Sequence, residues 1–122
     1  SIMNINQAIE RLHSIITALT HEITPDQIKD EILVRRKMSV FTYGVCVGIA
    51  NGHGLDAEVV YLNYLLKGGL KKHQAQTVVE RTSHKYIYED FGKECYSAGN
   101  QVDVDAFNEN DVFDLKILIL GV

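Results

Sequence analysis

Residues 38–50 of this chain read Met-Ser-Val-Phe-Thr-Tyr-Gly-Val-Cys-Val-Gly-Ile-Ala, and wound as a helix they would be apolar on nearly every side. Thirteen residues are too few to cross a bilayer, which takes about 20. The segment must therefore be covered by protein, either the rest of its own subunit or a second one. Val40, Phe41, Val45, Val47 and Ile49 also fit a buried strand, because short apolar runs are ambiguous. Gly44 and Gly48 tip the reading to a helix: four residues apart, they share one face and form a notch that another backbone can enter.

The segments around this run read as helices. Ile5, Ile9, Leu12, Ile16, Leu19 and Ile23 recur at helical spacing over residues 4–23, with Ala8 and Ile15 widening the stripe. Thr24-Pro25-Asp26-Gln27 has the parts of a helix start, namely a hydroxyl cap, proline at the first position and an amide to reach back. It predicts a second helix from Pro25 to Ala50, stopped by Asn51-Gly52. Asp56 caps a third helix over 57–67, ended by Gly68-Gly69. A fourth is expected over 72–91, extending as far as Ser97, with Gly92 as a breaker and 97–100 as a loop. Asn108 to Asp111 reads as a turn. For the last segment a helix over 103–120 and a short terminal strand both fit, and the helix is preferred. The expected fold is all-α, one domain spanning 1–122, a compact bundle of four to five helices around a central apolar second helix.

Bulk properties narrow the class. With 122 residues, 46% hydrophobic and 23% charged, the chain can bury a core without staples. A formal charge of −4 argues against nucleic acid, whose binding is driven by phosphate neutralisation. The most basic stretch, Lys67, Lys71, Lys72, His73, Arg81, His84 and Lys85, is interrupted by Glu80 and reads better as a solvated helix face than as a helix-turn-helix unit. Cys46 and Cys95 make no CxxC pair and no disulfide framework, which fits a reducing cytoplasm. The N-terminus lacks the pattern of a signal peptide. Ser1 reads as a processed end or a cloning remnant, with Met3 as an alternative native start.

No assembled catalytic set is visible in the sequence, and no cofactor is expected. His53 and Asp56 flank the mouth of the apolar helix among glycines. With Tyr43 and Tyr61 they form the candidate ligand site, against the simpler reading of Asp56 as a helix cap. Glu80 and His84, one turn apart, with His73 further back, are the candidate metal ligands, although zinc needs three or four donors. Glu10-x-x-His13 is half of a di-metal motif whose other half is missing. Gly52-x-Gly54 lacks the lysine and third glycine of a phosphate loop. Tyr61 and Tyr64 should put their hydroxyls near solvent or a partner. The leading expectation is thus a protein–protein interaction or regulatory protein acting as a homodimer, or against another protein. Ile5, Ile9, Leu12, Ile16, Leu115 and Leu118 are its candidate interface, and a membrane is not expected as a partner.

Overall fold

The computed structural model describes residues 2–121; Ser1 and Val122 lie outside them. The described residues form six α-helices and no strand: α1 (Ile5–Glu22), α2 (Glu31–His53), α3 (Ala57–Lys67), α4 (Lys72–His84), α5 (Asp90–Asn100) and α6 (Glu109–Leu120). Asn4 starts α1 with a reciprocal cap, its side-chain oxygen accepting from the Gln7 N–H and the Gln7 side chain accepting from the Asn4 N–H, both at 2.9 Å. Ala8, Ile9, Leu12, Ile15 and Leu19 face the core, while Ile5, Ile16 and Ile23 sit half-buried at the edge of that stripe.

The Thr24 box starts only one tight turn, Pro25–Gln27, rather than α2. Its reciprocal bond is made, Gln27 Oε1 accepting from the Thr24 N–H at 2.9 Å, but Ile28 then turns extended. Asp30, six residues after Thr24, is a second cap, accepting from the Leu33 N–H at 3.0 Å, and α2 starts there. At the other end α2 runs through Asn51-Gly52 to His53, because the left-handed residue that ends it is Gly54, at φ 66°. α3 occupies the expected span, with Asp56 accepting from the Glu58 and Val59 N–H groups.

Residues 72–100 hold two helices where one was expected, and this raises the count to six. The break falls at Lys85, and a single turn at 86–88 redirects the chain into α5. Gly92 does not break α5 but permits the redirection: a Cβ there would lie 1.9 Å from the Tyr86 carbonyl oxygen. Residues 97–100, expected as a loop, are the last turn of α5. The predicted turn at 108–111 is the cap and first turn of α6, with Asn108 Oδ1 accepting from Asn110 and Asp111. The terminal strand does not form.

α2 is central and touches all five other helices. Its closest partner is α5, and the contact is backbone on backbone. A Cβ on Gly99 would lie 2.4 Å from the Phe41 carbonyl oxygen and 2.9 Å from Gly44 Cα; one on Gly44 would lie 2.6 Å from the Tyr96 carbonyl oxygen. The notch read from Gly44 and Gly48 is filled from inside the same chain. Around it Val40, Phe41, Val45, Cys46 and Cys95 are almost wholly buried. Lys37 reaches the far end of α6, donating to the Leu118 carbonyl at 3.1 Å.

Gly44→Ala and Gly99→Ala should each cost about 3 kcal/mol, since the clashing atoms are backbone and cannot rotate away. Gly52→Ala is the control: it is helical, exposed and has nothing within 4 Å of the added methyl. That change should stabilise by roughly 0.5–1 kcal/mol. Urea unfolding of the three variants checks the order.

Candidate functional site

The candidate ligand residues are divided among different places. His53, at the end of α2, is half-buried, and its Nδ1 accepts from the Met3 N–H at 2.9 Å. That bond requires the tautomer with its proton on Nε2. His53 borders a polar hollow of about 420 Å³ with Gln7, Glu10, Arg11 and Asp105. Arg11 pairs with Asp105 across this hollow, joining α1 to the 101–108 connection. Asp56 instead faces a groove of about 270 Å³ between α3 and α4, shared with Glu58, Glu80, Ser83 and His84. His53 and Asp56 therefore do not converge.

Tyr43 and Tyr61 are core residues, 9% and 2% exposed. Tyr61, expected to hold its hydroxyl near solvent or a partner, places it 2.6 Å from Ser39 Oγ, and Ser39 Oγ lies 2.6 Å from Thr82 Oγ1. Three hydroxyls thus tie α3, α2 and α4 together in a chain with a donor and an acceptor at each link. No buried side-chain polar atom among the described residues lacks a partner. Tyr43 packs between Tyr61, at 5.9 Å between ring centres, and Tyr96, at 6.2 Å. Ser39 gave no sequence signal, since a serine inside an apolar run carries no periodicity that names its partners.

The expected i,i+4 pair of Glu80 and His84 is not formed. His84 Nε2 lies 3.7 Å from Glu58 Oε1 on α3, and both side chains are well exposed. His73, eleven residues before His84, sits about 16 Å away along the helix. Among the described residues no group of three or more His, Cys, Asp or Glu side chains is placed to hold a metal ion. The basic residues Lys71, Lys72, Arg81 and Lys85 are all exposed, and Arg36 stacks over the Tyr86 ring at 5.0 Å.

Of the interface candidates, Ile9, Leu12 and Leu115 are buried in the chain's own core, and Ile5, Ile16 and Leu118 are half-buried. The exposed apolar side chains lie elsewhere. On α6, Val112, Leu115 and Ile119 face inward, while Phe113 and Ile117, four residues apart, are 62% and 38% exposed. A groove of about 480 Å³ runs beside Phe113 between α6 and the end of α1, bordered by Ala18, His21, Glu22, Glu109 and Lys116. The signal for this face was present in the sequence: 112–120 is apolar on more than one side, which is more than a single buried stripe uses. A hollow of about 510 Å³ lies between α1 and α3 and is walled mainly by Ile9, Tyr64, Leu65 and Leu70, with Glu10, His13 and Lys67 at its edge.

Burial sets the titration of the core. It pushes the Tyr43 phenol from 10.0 up to about 12, helped by the charges of Glu58 and Asp56, and the Cys95 thiol from 9.0 up to about 11. Tyr61 and Cys46 are also raised, chiefly by burial. The fold favours the neutral form of each, so their contribution is complete below the ordinary values and is lost as pH rises through the raised ones. The urea midpoint should hold steady up to about pH 9 and fall between pH 9 and 12. Tyr43→Phe should flatten the upper part of that fall. Ser39→Ala, which leaves two buried hydroxyls short of a partner, should cost about 1–3 kcal/mol at pH 7. No family model matches the chain, and no curated protein or solved structure is similar enough to match it.

Proposed function

We propose that this chain is a small helical protein–protein interaction protein, regulatory in role, which works as a homodimer. The observation that carries this reading is the second apolar stripe of α6. Phe113 and Ile117 stand exposed one helical turn apart on α6, and Phe113 borders a groove; Ile2, Ile32, Val59 and Tyr88, the other exposed large apolar side chains among the described residues, lie on other segments. Clustered exposed aromatic and aliphatic side chains with a polar rim are the usual composition of a contact surface. Both cysteines are free and buried, in keeping with a reducing, cytoplasmic setting. No helix among the described residues is long and apolar enough to cross a membrane. Nucleic acid is disfavoured by the net charge of −4.

A second reading, binding of a small apolar ligand, draws on the hollow between α1 and α3. Its volume of about 510 Å³ falls in the range of ligand pockets, and its walls are largely aliphatic and aromatic. It lies away from His53 and Asp56.

Light scattering across a concentration series decides the first reading. The expected result is a mass that rises from about 13.7 kDa to twice that value with concentration and is unaffected by zinc. A mass fixed at the monomer value throughout would remove the homodimer. In that case a thermal shift on adding a fluorescent apolar probe, abolished by Leu65→Glu, would favour the ligand reading.

A further inference from the structure

We infer that two copies of the chain pair through α6 laid antiparallel on its counterpart, with Phe113 near the two-fold axis and Glu109 of each copy opposite Lys116 of the other. The inference rests on the homodimer reading and names its surface.

The argument starts from helical spacing. Glu109 and Lys116 are seven residues apart, so they lie on one flank of α6, about 10.5 Å apart along its axis, with Phe113 between them. A two-fold axis perpendicular to a pair of antiparallel helices brings the same flank of each copy face to face. With the axis between residues 112 and 113, position 109 of one copy falls opposite position 116 of the other, and the same pairing repeats across the axis. The face is thus self-complementary in charge: two acid–base pairs close at once, on either side of a central apolar contact between the two Phe113 rings.

The surroundings suit the same occupant. Glu109 and Lys116 border the groove beside α1 together with Glu22, so the groove carries both signs. A strongly basic or strongly acidic partner would meet like charge somewhere along this groove; a second copy in two-fold register meets opposite charge at both ends. Phe113, 62% exposed in the single chain, gains cover from the opposite copy. Ile117 flanks the ring on the other side and extends the apolar strip.

Charge exchange tests the register. Glu109→Lys and Lys116→Glu each set like charges opposite one another twice, and each should weaken dimerisation about tenfold in light-scattering titrations at low salt. The double variant E109K/K116E restores both pairs with signs reversed and should recover the wild-type dissociation constant. Phe113→Asp should weaken the dimer by about 100-fold or more. Circular dichroism melts confirm that the variants fold, and Lys116→Glu leaves the start of α6 untouched. A wild-type dimer indifferent to all of these changes would overturn the α6 surface while leaving the homodimer reading intact. A single swap that weakens the dimer without recovery in the double variant would overturn the antiparallel register. A wild-type chain that stays monomeric overturns both, and assigns the exposed α6 strip to a different protein.

Discussion

The backbone contact between Gly44 on α2 and Gly99 on α5 is the constraint on which the remaining packing depends. Two helices ordinarily keep 8–10 Å between their axes because side chains stand between them. Here the backbones meet directly, and the Cβ positions at Gly44 and Gly99 are occupied by carbonyl oxygens and Cα atoms of the opposite helix. Each glycine in a helix interior costs about 1 kcal/mol against alanine. That cost is offset by the dispersion contacts and weak Cα–H···O bonds that such proximity permits. Because α5 is drawn in this far, the chain before it must turn sharply. Gly92, against the Tyr86 carbonyl, is where it does so. One close crossing therefore explains three of the nine glycines and the break between α4 and α5.

On the other side of α2 the joint is polar. Ser39 stands between Tyr61 and Thr82 and supplies each with a hydrogen bond. An apolar core of similar volume would hold α3 and α4 as tightly, but would accept several relative rotations. A hydroxyl chain with fixed partners accepts far fewer, since any shift leaves a buried oxygen unpaired. α2 thus holds its neighbours by two different means, steric fit at α5 and hydrogen-bond geometry at α3 and α4.

How much of this was legible follows from where the information resides. α1 was readable from its local apolar stripe and α3 from its local cap, Asp56 with the N–H groups after it. The glycine notch was readable as a notch, though its occupant was not, because Gly99 lies 55 residues from Gly44. The Thr24 box misled for a local reason. Its Gln27-to-Thr24 bond forms as the motif requires, but a second cap at Asp30 starts the long helix, and a cap motif cannot say how many turns it heads. The 72–100 region failed for a non-local reason, since Gly92 reads alike as a breaker and as a close contact until its neighbour is known. The same applies to His53 and His84, whose partners Met3 and Glu58 are 50 and 26 residues away.

This division of labour bears on function. The residues most suggestive of chemistry in the sequence are absorbed by structure: Asp56 in a cap, His53 on a backbone N–H, Tyr43 and Tyr61 in the core. α6 differs. Its inward stripe of Val112, Leu115 and Ile119 already supplies what the core takes from it, and Lys37 secures its C-terminal end. Phe113 and Ile117 lie outside that inward stripe, 62% and 38% exposed, and covering what remains in water would return only a part of the roughly 1.5–3 kcal/mol of a full burial. A surface helix needs only its inward stripe to stay docked. The exposed strip on α6 is thus the feature on which the proposed contact rests, whereas His53 and His84 already have partners within the chain.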